Sequence, residues 1–301
     1  MIISWLLVIT FAYLFFALSA FGDKLILQGP PKPKSYTFYA GILSILAIFL
    51  IPFFGLSFPN IWLFLLIVLD AIIFILGMYF GYKAVEQFEV SKVATTIGAV
   101  QPIFIFFISW FFWGYQALST SNLFAFLLLF TGSIFISFDK KPELTKQYLK
   151  LTLLAGLMYS LDYVLLKHIF SNFPFIQGYI WRSIFVALAA TSLLIKKKNR
   201  AEIFKKRDIL NGKLKKIFFA TQTVGGIASI LQSFAISLAP IAFLPIMNSM
   251  RGLQYVFLFV ITSFFTIFFP KILKEKTSKK IIIRKIISIF LIVFGLIILV
   301  F

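Results

Sequence analysis

The sequence predicts an all-α membrane protein with ten transmembrane helices arranged as two inverted five-helix repeats. The first supporting observation is composition: 61% of the 301 residues are hydrophobic, 41 are Phe, and the mean hydropathy is +1.00. These values lie far above those of soluble domains. The second is charge: 26 of the 29 Lys and Arg residues fall in five short segments, namely 23–34, 83–92, 139–150, 196–216 and 271–285.

Each interval between cationic segments is long enough for two membrane crossings of about 20 apolar residues. The sequence begins Met-Ile-Ile-Ser-Trp, without a basic region or a small-residue cleavage site, so we expect the first apolar segment to be a retained helix and not a signal peptide. Short turns rich in Gly, Pro, Ser and Asn separate the two helices within each interval. The predicted helices, in chain order, are 2–22, 36–55, 61–82, 92–113, 122–138, 149–169, 174–195, 216–238, 241–269 and 281–301.

The positions of the cationic segments predict the orientation of the chain. They follow predicted helices 1, 3, 5, 7 and 9. Because Lys and Arg concentrate in cytoplasmic loops, these five loops should face the cytoplasm and both termini should lie outside. We therefore expect a multi-pass protein of the cell membrane whose cationic loops attract anionic lipid headgroups.

The third cationic segment divides the ten helices into two sets of five. The predicted repeats are residues 1–140 and 141–301. Two halves with an odd number of crossings must run in opposite orientations, as in the inverted repeats of many secondary transporters.

Two stretches at equivalent places in the halves are similar in character. Residues 84–102 read AVEQFEVSKVATTIGAVQP, and residues 235–253 read AISLAPIAFLPIMNSMRGL. Together with 151–167 and Trp113–Gly114, they resemble EamA-type proteins of the drug/metabolite transporter superfamily. The resemblance implies two EamA-like repeats and a central path lined by helices 1, 3, 4, 6, 8 and 9.

Four charged residues stand out deep within predicted helices, namely Asp70, Asp162, Arg182 and Arg251. A charged side chain there costs about 2.5–3.5 kcal/mol and usually faces a cavity or a partner. Counted from the outer helix ends at 1.5 Å per residue, all four lie roughly 10–15 Å deep. One interpretation is structural: Asp70 pairs with Arg182 and Asp162 with Arg251, or the pairs are crossed. The other is that one cation is left to bind a substrate carboxylate or phosphate.

Arg251 is the preferred substrate-binding cation. The neighbouring Gly252 would let a ligand approach closely, and Asn248 and Gln254 lie near it in sequence. Gln232 lies across a tight turn and is expected to converge on the same place. Each amide has an alternative role as a hydrogen bond between helices.

The sequence also argues against several classes of protein. The net charge is +19, but the Lys and Arg residues that produce it lie at the ends of the predicted membrane helices. This placement argues against a nucleic-acid partner. With no Cys, one His and no phosphate-binding motif, we predict no catalytic residues, no metal and no cofactor.

The predicted function is a secondary transporter that moves a small polar or amphipathic metabolite by alternating access. Its energy would come from the substrate gradient or a coupled ion, and Asp70 or Asp162 would carry a coupling proton if left without a cation. A flippase for a lipid or lipid-linked sugar is the first alternative, and a membrane-embedded lipid-modifying enzyme is the second. The expected partners are the substrate and membrane lipids, and a homodimer is left open.

Overall fold

The computed structural model describes residues 2–26, 33–88, 90–114, 120–137, 145–204, 212–269 and 279–300, and these are helices and short connections without a strand. Parts of the predicted cationic loops, among them 139–144, 205–211 and 270–278, lie outside the described residues. The helices are α1 (Ile2–Ile26), α2 (Pro33–Leu43), α3 (Ile51–Phe54), α4 (Ile61–Gln87), α5 (Val90–Trp113), α6 (Thr120–Ser137), α7 (Lys146–Asn172), α8 (Phe175–Thr191), α9 (Lys197–Ile203), α10 (Gly212–Leu238), α11 (Leu244–Ser249), α12 (Gly252–Phe268) and α13 (Lys279–Val300).

Seven stretches of the described residues are helical, long and apolar enough to cross a membrane, which indicates a multi-pass membrane protein. They are Ser4–Gly22, Pro33–Phe54, Ile61–Gln87, Lys92–Trp113, Lys146–Asn172, Phe219–Leu238 and Ile241–Phe268.

Two predicted helices are interrupted. The predicted helix 36–55 consists of α2, a 3-10 segment at Ser44–Leu50 and α3. Pro52 has no backbone N–H, so it cannot continue the hydrogen-bond pattern of an α-helix. The residues before it form the more tightly wound 3-10 helix. The predicted helix 241–269 is divided into a 3-10 turn at Ile241–Phe243, then α11 and α12.

The chain folds into two compact units, and each combines helices from both predicted repeats. The first unit comprises Met1–Gln28, Trp113–Pro142 and Leu210–Phe301, and the second comprises Gly29–Phe112 and Glu143–Ile209. The units therefore do not coincide with the predicted repeats 1–140 and 141–301, which stay a prediction.

In the first unit, α1 packs on α10 and α12, and α6 packs on α13. Small residues let these helices approach closely, as is usual where lipid supplies no hydrophobic driving force. A Cβ atom at Gly132 would lie 2.8 Å from Ile292, and one at Gly295 would lie 2.9 Å from Leu129. The α6–α13 pair therefore depends on the missing side chains of these two glycines.

In the second unit, α4 packs on α7 and α8, and α2 packs on α4 and α8. The Tyr148 hydroxyl of α7 donates to the Lys92 carbonyl of α5 at 2.9 Å and bonds the Thr96 hydroxyl at 2.5 Å. Further along the same two helices, the Ser160 hydroxyl of α7 donates to the Gln101 carbonyl of α5 at 3.2 Å. These polar contacts fix α5 against α7.

Gly55 and Gly226 provide a matched pair of stability tests, because a Cβ at either glycine would have no neighbour within 4 Å. Gly55 has φ 70° and ψ 178°, a conformation open almost only to glycine, whereas Gly226 lies within α10. Gly55→Ala should lower the unfolding free energy by about 1–3 kcal/mol. Gly226→Ala should leave it unchanged or raise it by up to about 1 kcal/mol. Equal effects on thermal unfolding in detergent would contradict this description of the Gly55 turn.

Candidate functional site

A buried charge cluster joins three helices of the second unit. Asp70 of α4 is 0% exposed, Asp162 of α7 is 7% exposed and Arg182 of α8 is 6% exposed. The Arg182 Nε donates to Asp70 Oδ2 at 2.9 Å, and its Nη2 donates to Asp162 Oδ1 at 2.5 Å. One guanidinium therefore bridges two carboxylates from different helices.

The surroundings of this cluster stabilise the cation more fully than the anions. The Phe74 ring centroid lies 4.5 Å from the Arg182 Cζ, a favourable position for a cation. Asp70 Oδ1, in contrast, is buried and has no hydrogen-bond partner among the described residues. When all three groups are ionised, the cluster holds one negative charge in excess.

The predicted pairing is therefore half right. The Asp70–Arg182 pair is confirmed. Asp162 binds the same Arg182, so the cluster takes one pair from each of the two arrangements that the sequence allowed. The reason is geometric, because a guanidinium has donors on several nitrogen atoms and can serve two carboxylates at once.

In the first unit, the stretch between α11 and α12 departs from α-helical hydrogen bonding. The Arg251 N–H donates to the Asn248 carbonyl, and the Leu253 N–H donates to the Met250 carbonyl, three residues back in each case. The carbonyls of Met247 and Ser249, to which these two amides would donate in an α-helix, therefore need other donors.

Side chains of α1 and α6 supply those donors. The Tyr13 hydroxyl donates to the Met247 carbonyl at 2.9 Å, and the Ser133 hydroxyl donates to the Ser249 carbonyl. Ser133 Oγ also accepts from the Gly252 N–H at 3.0 Å. The irregular backbone is thus held in place by α1 and α6, as expected where backbone at membrane depth is buried in protein.

Asn248 lies next to this break and is 1% exposed. Neither its Oδ1 nor its Nδ2 has a hydrogen-bond partner among the described residues. A buried amide without partners costs about 1–3 kcal/mol, so an unpaired side chain calls for a ligand or water. The Nε2 of Gln232 and the Nε1 of Trp5 are also buried, and neither has a hydrogen-bond partner in the part of the chain that the structure describes.

The Gln232 side chain lies beside the Tyr13 hydroxyl, and Arg251 lies close enough to act on that hydroxyl through its charge. Arg251 is half-buried at the N-terminus of α12. Gln254 lies in the first turn of α12, where its backbone N–H donates to the Arg251 carbonyl at 3.0 Å. The predicted residues Gln232, Asn248, Arg251 and Gln254 thus belong to one unit, whereas Asp70, Asp162 and Arg182 belong to the other.

The predicted role of Gly252 differs from its observed surroundings. The space beside its Cα is filled by the Ser133 hydroxyl and by Ile292, whose Cδ1 would lie 2.8 Å from an added Cβ. The small size of this residue therefore lets α6 and α13 pack against the break. It does not open the backbone to a ligand.

Tyr13 and Ser133 have structural roles that the sequence did not indicate. Tyr13 lies in the aromatic run Phe11–Phe16, where its hydroxyl gives no distinct pattern. Ser133 is one of several Ser and Thr residues in the apolar helix α6, and such residues are common in membrane proteins. Their roles depend on the carbonyl groups that they bind, and only the folded structure shows these partners.

The two clusters suit different chemistry. The Arg182 cluster fixes its guanidinium between two carboxyl groups, and Asp70 Oδ1 has no hydrogen-bond partner within the described part of the chain. The Asn248 side chain offers a donor and an acceptor that no described residue binds, and Arg251 with its guanidinium lies three residues further along the chain. Among the described residues, no group of three or more His, Cys, Asp or Glu side chains is placed to hold a metal.

Comparisons with known proteins are informative about the fold alone. No family model matches the chain, and no curated protein matches it. Among solved structures 29 chains match. One protein of known crystal structure aligns with a TM-score of 0.67 over 98% of this chain and 96% of its own, at 15% identity. This helical fold therefore occurs in a solved structure.

The buried cluster predicts a large and specific loss of stability. Arg182→Ala would leave two carboxylates among apolar helices, so it should lower the unfolding free energy by about 3–5 kcal/mol. Arg200→Ala is the control, because Arg200 is exposed on α9. Adding Asp70→Asn and Asp162→Asn to the Arg182→Ala chain should restore part of the loss. Unfolding in detergent measures all of these chains, and a stability of Arg182→Ala equal to that of the control would contradict the assignment.

Proposed function

We propose that the protein is a secondary transporter that moves a small polar or amphipathic metabolite by alternating access. In this proposal the chain crosses the cell membrane ten times, has two EamA-like inverted repeats, and has both termini outside. The substrate binds in the first unit at Asn248 and Arg251, with Gln232 and Gln254 nearby.

The observation that supports this proposal most strongly is that the side chain of Asn248 has no hydrogen-bond partner among the described residues. It is buried beside the break between α11 and α12, which belong to one predicted membrane crossing. Interrupted helices form the substrate and ion sites of many transporters, since their backbone and side-chain groups are not all used within the protein. A ligand with both a donor and an acceptor would satisfy the Asn248 amide.

The make-up of the two units supports the inverted repeat. An inverted repeat relates predicted helices 3, 4 and 6 to helices 8, 9 and 1. The second unit contains the first set as α4, α5 and α7, and the first unit contains the second set as α10, α11–α12 and α1. Within each unit the related pairs also pack together, α4 on α7 and α1 on α10.

The Arg182 cluster supports a role for a coupled ion. Its excess negative charge is costly among apolar helices, and a proton or a monovalent cation would neutralise it. Asp70 is the better site for that charge, because its Oδ1 has no partner in the described part of the chain. In this proposal the coupling ion binds in the second unit and the metabolite binds in the first.

Arg251 and Asn248 give the direct test of substrate binding. A ligand is first found by screening anionic and polar metabolites for those that raise the melting temperature of the purified protein. For an anionic ligand, Arg251→Lys should weaken binding by about 10-fold or more, because Lys lacks the planar donors that match carboxylate or phosphate. Asn248→Ala should weaken binding by a similar factor.

The control for these variants is Arg200→Ala, which should bind the ligand as the unaltered chain does. The melting temperature without ligand should stay near normal for Arg251→Lys. If both site variants bind the ligand normally, the proposed site is wrong.

A further inference from the structure

The second unit contains a cavity of about 870 Å³ between α4 and α8. At one end, the cavity reaches the 3-10 turn at Ser192–Leu194 and the start of α9. Its volume lies in the range of about 300–1,000 Å³ that is typical of small-molecule sites. All of its lining residues belong to this one unit.

Most of the cavity wall is apolar and open to the surroundings. Ile72 and Leu76 of α4 are 46% and 40% exposed, and Leu188 of α8 is 54% exposed. The wall runs along α4 from Val68 to Tyr79. At 1.5 Å per residue this length is about 16 Å, which is close to one leaflet of a hydrocarbon core of about 30 Å.

The cavity is polar and basic at the Tyr79 end, where it is lined by Lys34, Lys196 and Asn199. Lys34 bonds the Glu202 carboxylate at 3.1 Å. Lys196 is exposed at the N-cap of α9, and Asn199 donates to the Leu193 carbonyl at 3.0 Å. Among the described residues, two lysines line this end and one carboxylate pairs with Lys34, so these groups carry a net positive charge.

We propose that this cavity binds one phospholipid with an anionic headgroup. One acyl chain lies against Ile72, Leu76 and Leu188, and the phosphate lies at Lys196 with Lys34 beside it. The proposal follows from the apolar wall, its length and the positive end, and it does not depend on the proposed transport function. Both lysines belong to predicted cytoplasmic segments, and the cytoplasmic leaflet is the one that carries anionic lipid.

Native mass spectrometry of the purified full chain tests the proposal with two defined lipids. Dioleoyl phosphatidylglycerol, which is anionic, should be retained more strongly than dioleoyl phosphatidylethanolamine, which is zwitterionic. Lys196→Gln should lower retention of the anionic lipid by about fivefold and leave the zwitterionic lipid unchanged. Lys150→Gln, at an exposed lysine of α7 in the same unit, should behave as the unaltered chain.

A second variant tests the acyl-chain wall. Leu76→Trp should fill the cavity and lower retention of both lipids. The melting temperature of this variant should be close to that of the unaltered chain. Glycerol phosphate, which has a headgroup but no acyl chains, should not displace the bound lipid. Three results would each overturn the proposal: equal retention of the two lipids, an effect of Lys150→Gln as large as that of Lys196→Gln, or displacement by glycerol phosphate.

Discussion

A charged or polar group among apolar helices costs free energy unless its hydrogen bonds are complete. In the second unit, the hydrogen bonds that Arg182 needs connect three helices. The guanidinium takes one carboxylate from α4 and another from α7, while Phe74 covers its face. Removing the guanidinium would leave two buried carboxyl groups without their shared partner. The positions of α4, α7 and α8 therefore depend on one another.

The same requirement is met only in part in the first unit. Tyr13 and Ser133 complete the backbone hydrogen bonds at the break between α11 and α12, so the irregular chain is stable there. The neighbouring Asn248 amide is left incomplete among the described residues. The proposed polar ligand would complete the hydrogen bonds of this amide.

The sequence predicted the positions of the helices well, because apolar runs and cationic boundaries repeat along the whole chain. It also singled out Asp70, Asp162 and Arg182, since charges are rare within apolar runs. It did not predict that Arg182 binds both carboxylates, which depends on how three helices face one another. It did not predict the break near Arg251 either, because a lone glycine such as Gly252 is frequent within membrane helices and does not by itself indicate a break.

The natural chain has no Cys, so a single Cys can report directly on access to the proposed site. In this conformation Asn248 is 1% exposed, so a membrane-impermeant thiol reagent reaches Asn248→Cys only if the protein opens. Transport by alternating access predicts slow labelling in proteoliposomes that a bound ligand reduces. Ile236→Cys, at a buried apolar position of α10, should stay unlabelled. Asn248→Cys that is as inert as Ile236→Cys from both sides of the membrane would contradict the central claim.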